Sequence, residues 1–183
     1  RTMGEAIRHG FANLTNFSGR DSRTLFWWWV LLVVVLTFAL SFISGIFFAA
    51  ESMGRAFQAG AEGVDQSQVQ AQMMRNMADS LGPQAWIGVA ISVIGLLLLI
   101  ASFVRRLRDA GLPMLIAIVP VVTTVIAAYV NVSAVEEMRE LMMSADTQAL
   151  NEAAASNAGL GLIAYVGYLV VIVCGLIPSK KAT

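Results

Sequence analysis

Polar residues fall in blocks along this chain, and the stretches between the blocks are long and apolar. Residues 25–50, 80–104, 110–135 and 153–179 contain no Asp, Glu, Lys, Arg or His. Each is longer than the roughly 20 apolar residues that carry a helix across a bilayer's hydrocarbon core. Lipid offers no partner to an open backbone group, and these runs lack the alternation of a barrel strand, so each reads as a transmembrane helix. The first run is also far longer than the roughly 7–15 apolar residues of a signal peptide. The pattern predicts an all-α integral membrane protein with four transmembrane helices and two longer, partly helical outer connections. It divides the chain into a tail (1–24), a span (25–50), an outer segment (51–79) and a second span (80–104). A short basic loop (105–109), a third span (110–135), an outer helical segment (136–152), a fourth span (153–179) and a tail (180–183) follow.

Composition agrees with this class. Of 183 residues, 57% are hydrophobic and 13% charged, about half the charged share of a soluble domain, and mean hydropathy is +0.71. The single Cys174 lies in an apolar run, where a thiol acts as a small buried hydrophobe.

Net charge is zero, yet the charges are segregated. The first tail sets Arg1, Arg8, Arg20 and Arg23 against Glu5 and Asp21. The short loop sets Arg105, Arg106 and Arg108 against Asp109, and the last tail adds Lys180 and Lys181. Each of these three segments is +2. Segment 51–79 has two arginines against four acids, and segment 136–152 has Arg139 against five. Basic residues mark the cytoplasmic side, so both termini are expected inside. Trp27, Trp28 and Trp29 at the start of the first span, and Trp86 in the second, read as interfacial anchors.

Further signals concern packing. Pro113 suits a first helical turn, whereas Pro120 lies deeper and is expected to kink its helix or to be relieved by a neighbour. Ser41 with Gly45, Gly88 with Ser92, and Gly167 with Gly175 have spacings that let helices approach closely. In the outer segments, Val64, Ala71, Met74, Ala78 and Leu81 share one helical face. Met138, Leu141, Met142, Ala145 and Ala149 share another, and Met138, Leu141 and Met142 are the expected outer docking face. No internal repeat stands out.

The inventory of reactive groups is thin. Ionisable residues inside a membrane mark ion paths and proton relays, and the four spans have none. The one histidine, His9, has no second His or Cys near it in sequence, and no Gly-rich phosphate loop is present. Thr123 and Thr124 are expected to bond their own helix's carbonyls or a neighbour. No catalytic residue, cofactor or metal site is expected, and the balanced charge gives no argument for nucleic-acid binding.

Two basic clusters remain. Phe17, Gly19, Arg20, Arg23, Phe26 and Trp27 fit F-x-G-R-x-x-R-x-x-F-W at the entry to the first span. Arg105, Arg106, Leu107, Asp109 and Gly111 fit most of R-R-L-H-D-x-G. With these motifs the chain resembles the domain-of-unknown-function family 805 (DUF805), bacterial inner-membrane proteins. The resemblance runs from about Phe11 to the end. Arg108 stands where that family usually has histidine, and Leu112-Pro113-Met114 replaces a Ser-Gly-Trp type of continuation. The resemblance implies a multi-pass inner-membrane protein without an established activity.

The residues expected to form an inner-hairpin motif, or to contact lipid or a partner, are Gly19, Arg20, Arg23, Trp27, Arg105, Arg106, Arg108 and Asp109. Asp21 and Asp109 are expected to pair some of these arginines, with Asp109 clamping Arg20 or Arg23. The rest would meet the phosphates of anionic lipid headgroups at the inner face. The leading expectation is a non-catalytic structural or accessory protein contacting lipid and a larger membrane complex, or a second copy of itself. A small-molecule transporter or channel subunit is the alternative.

Overall fold

A computed structural model describes residues 2–144 and 146–179. Arg1, Ala145, Lys180, Lys181 and the rest of the last tail lie outside the described residues. The described residues form five α-helices: α1 (Met3–Ala12), α2 (Arg23–Ala61), α3 (Gln66–Ala110), α4 (Ile118–Ser144) and α5 (Thr147–Leu176). A 3-10 turn, Met114–Ala117, precedes α4. The four helical stretches from α2 onward are each long and apolar enough to cross a membrane.

The helix α1 lies in what the charge pattern treats only as a tail. A capping box starts it: the Thr2 hydroxyl accepts from the Glu5 N–H, and the Glu5 carboxylate accepts from the Thr2 N–H at 3.0 Å. Ala6 and Gly10 bury one face of α1 against α2. A Cβ on Gly10 would lie 2.1 Å from the Trp29 ring, so only glycine permits this approach. Phe11 meets the same ring edge-on at 5.2 Å. The Trp29 indole N–H donates to the Leu98 carbonyl of α3 at 2.9 Å. Trp29 is therefore a buried junction of three helices. Of the tryptophan triplet, Trp28 is the exposed member.

The helices continue past their apolar stretches. At 1.5 Å per residue, the 39 residues of α2 reach about 58 Å and the 45 of α3 about 67 Å, roughly twice the thickness of a hydrocarbon core. The α2–α3 turn is only residues 62–65, with Gly63 in the left-handed region at φ +67°. Arg139 of α4 meets Asp79 of α3 at 2.7 Å, bridging the helices near this far end.

Gly111, also left-handed, caps α3, and Leu112-Pro113 leads into the 3-10 turn. Pro120 therefore falls in the first turn of α4. Its missing N–H costs nothing there, because first-turn N–H groups have no intrahelical partner. The expected deep kink has no cause. Thr123 and Thr124 bond back to carbonyls of their own helix, Val119 and Pro120.

Helices α2 to α5 pack in chain order as antiparallel neighbours, with few α2–α5 contacts. Gly167 of α5 rests on Thr123 and Pro120 of α4, and Gly175 rests on Phe26 and Trp27 of α2. Gly45 and Gly88 face open space, so those close-packing spacings are not used within the chain. The buried cluster is Phe26, Phe103, Leu107, Ala117 and Cys174. It sits where the start of α2, the end of α5 and the 105–109 segment converge, the arginine end of the bundle. Further along, Phe38, Leu97, Val125 and Leu169 are exposed, one from each long helix, which suits surfaces solvated by lipid.

Candidate functional site

At the arginine end, two adjacent arginines hold the segment before α2 and the end of α5. The C-terminal end of α3 carries both, and successive helical residues point about 100° apart, so Arg105 and Arg106 reach different neighbours. Arg105 turns to the segment between α1 and α2. Its Nε donates to Asp21 Oδ1 at 2.9 Å, and one terminal nitrogen donates to the carbonyls of Asn13 and Asn16 at 2.7 and 2.6 Å. Ser102, one turn earlier on α3, donates to the other Asp21 oxygen at 2.8 Å. His9 completes the set, its Nε2 lying 3.0 Å from Asp21 Oδ1 and its Nδ1 3.4 Å from the Asn13 amide. A neutral Nε2–H tautomer satisfies both contacts.

Asp21 is 2% exposed. Burial pushes its carboxyl up, but hydrogen bonds from Arg105, Ser102 and His9, with the charge of Arg105, outweigh that and hold it below its ordinary value.

Arg106 turns to the end of α5, where the last carbonyls of a helix lack partners. Its guanidinium donates to the Gly175 and Ile177 carbonyls, to Ser179 and to Asp109. A cation at a helix C-terminus also meets the negative end of the macrodipole. Its Nε is buried without a partner among the described residues. Ser179 in turn donates to Asp109.

These bonds correct the expected clamp. Asp109 is taken by Arg106 and Ser179 rather than by Arg20 or Arg23, and Asp21 with Arg105 joins the N-terminal segment to the inner hairpin. Arg105 and Arg106 are accordingly buried rather than open to lipid. Trp27 is half-buried beside Gly175. Arg20 and Arg23 are exposed and have no hydrogen-bond partner among the described residues. Gly19 (φ +94°), Arg20, Arg108, Gly111 and Leu112 line a shallow groove of about 510 Å³. A second groove of about 380 Å³ is lined by Glu5, His9, Arg20 and Leu25.

At the far end, Met138, Leu141 and Met142 are half-buried. The apolar side chains more open there are Met53, Phe57, Met73, Met77 and Met143, with Phe57 72% exposed. Among the described residues, no three His, Cys, Asp or Glu side chains gather as a metal site.

The motif residues thus form one connected end of the bundle, and the sequence comparison identifies that arrangement's family. A family model described as "Protein of unknown function (DUF805)" matches residues 14–183. The chain belongs to the DUF805 family. No curated protein and no solved structure gives a match. In this DUF805 protein, helix α1 precedes the matched region, yet its His9 completes the coordination of Asp21. Sequence reasoning saw Asp21 as a partner for arginine but missed Ser102, His9, Asn13, Asn16 and Ser179. The Thr2/Glu5 capping pattern could have revealed α1. Nothing local could have revealed which backbone carbonyls would be used.

Proposed function

We propose that this DUF805 protein is a non-catalytic accessory protein of the bacterial inner membrane, with both termini in the cytoplasm. It holds anionic lipid at its arginine end and packs against a larger membrane complex or a second copy of itself. The observation that carries this reading is the fate of the motif charges. Arg105 and Arg106 are both spent on internal bonds, to the segment before α2 and to the end of α5. Arg20 and Arg23 are exposed at the same end and Arg108 is half-buried, as a lipid-contacting rim would be. The segregation of basic and acidic segments supports the orientation.

In this reading the contact face at the far end is carried by Met53 and Phe57 of α2, not by the half-buried Met138, Leu141 and Met142. Exposed apolar side chains on a helix that has left the bilayer favour association. Blue-native electrophoresis of gently solubilised membranes tests the reading. The wild-type chain should migrate in a complex, and Met53→Ser with Phe57→Ser should release it. Migration of the wild type as a monomer would refute the reading.

A further inference from the structure

The groove between the N-terminal segment and the inner hairpin is lined by two arginines, neither of which forms an ion pair among the described residues. Arg20 approaches from the segment before α2, and Arg108 from the last turn of α3. The acids of this end have other hydrogen-bond partners, although Glu5 shares the second groove with Arg20. Glu5 caps α1, Asp21 is held by Arg105, Ser102 and His9, and Asp109 is held by Arg106 and Ser179. Arg108 gives its Nε to Met114 Sδ at 3.1 Å, leaving both terminal nitrogens without a protein partner among the described residues. Arg20 lines both grooves and has no hydrogen-bond partner among the described residues. The Gly19 and Arg20 N–H groups likewise have none.

The surroundings of this basic groove are apolar on one side only. Leu112 lines it, and the chain then runs directly into Met114, Leu115 and Ile118, which are 49, 74 and 53% exposed. A guanidinium pair with an apolar lip matches an amphiphilic anion, with the phosphate at the groove and acyl chains along the lip. Arginine's planar fork suits a phosphate oxygen pair, and basic pockets beside spanning helices bind anionic headgroups.

We infer that Arg20 and Arg108, with Gly19, Gly111 and Leu112, form a discrete binding site for the phosphate of an anionic phospholipid. The inference rests on the lipid-contacting reading above and narrows it to one groove and two donors. Arg23, exposed nearby, does not line the groove.

Native mass spectrometry of the purified full-length chain in detergent tests the site, with phosphatidylglycerol, phosphatidylcholine and inorganic phosphate as probes. The wild type should retain one phosphatidylglycerol in preference to phosphatidylcholine, whose choline cation would face the arginines. Inorganic phosphate at the same concentration should not displace it, because it cannot use the lip. Arg20→Gln with Arg108→Gln should weaken retention about thirtyfold, from roughly fivefold per basic residue at an anionic surface. Arg23→Gln should change it less than twofold. Neither groove arginine has a carboxylate partner, so the double variant should keep its melting temperature. Undiminished retention by the double variant, or an equal loss in Arg23→Gln, would overturn the discrete site. Equal retention of the two lipids, or displacement by phosphate, would overturn the lipid assignment on the wild type alone. Loss of the site with the blue-native complex intact leaves the accessory reading standing, and a monomer that still selects phosphatidylglycerol does the converse.

Discussion

Replacing Asp21 with asparagine should loosen the whole arginine end. The change keeps the shape and removes the charge that faces Arg105, whose side chain is 3% exposed. Removing one partner of a buried ion pair typically costs about 3–5 kcal/mol, because the other charge is left buried and uncompensated. Arg105 keeps two strong backbone acceptors, the Asn13 and Asn16 carbonyls, so the cost belongs near the lower bound, about 3 kcal/mol. For a chain of this size, about 1 kcal/mol shifts Tm by roughly 2–4 °C. Thermal unfolding of the purified protein in detergent should therefore show a fall of about 6–12 °C. Arg105→Gln should cost a similar amount. The double variant should cost clearly less than the two singles together, since their shared interaction is then lost only once. The N-terminal segment should also become susceptible to protease in Asp21→Asn. An unchanged Tm, or strictly additive losses, would refute the clamp.

Acidification offers an independent check. Because the folded Asp21 carboxyl sits below its ordinary value, its stabilisation is complete above about pH 4 and is lost as pH falls through the folded value. The stability difference between wild type and Asp21→Asn should stay level from pH 8 to 5 and shrink only in stronger acid. Arg106→Gln strips donors from the end of α5 and should cost about 2 kcal/mol, with faster hydrogen exchange near Ile177 as the readout. Gly10→Ala should detach α1, since Trp29 is fixed by its bond to Leu98 and cannot yield, at a cost of about 1–3 kcal/mol. Gly45→Ala and Gly88→Ala meet open space and should be neutral or slightly stabilising in a monomer melt. For orientation, single cysteines at Gln68 and Thr147 in a Cys174→Ser background should react with an impermeant thiol reagent in intact cells, whereas one at Ala182 should not. Labelling at Ala182 alone would reverse the proposed topology.

The architecture was legible because lipid makes a severe demand: four long charge-free runs have few alternatives to helices. Local rules settled finer points, such as Gly111 ending α3 and the threonines bonding back to their own helix. Pro120 was misread because the short 3-10 turn delays the start of α4, and a charge-free run does not mark where its helix begins. The candidate site was half legible. The basic motifs gather at one end of the bundle, but the choice of partners is tertiary. Arg105 and Arg106 are adjacent in sequence and diverge in space, one to the N-terminal segment and the other to α5. Asp109 lies within reach of Arg106 one turn away, a local pairing that pre-empts the long-range clamp expected from its charge. The tail was read only for its charge, so α1 and the place of His9 beside Asp21 went unseen.

The central claim is that the chain acts by contact, and copurification from its native membrane tests it most directly. The full-length protein would be solubilised gently, captured, and its company quantified by mass spectrometry alongside the Met53→Ser/Phe57→Ser variant. A membrane protein, or a second copy of the chain, should accompany the wild type in fixed stoichiometry and be lost from the variant. Recovery of the wild-type chain alone, as a monomer, would contradict the account.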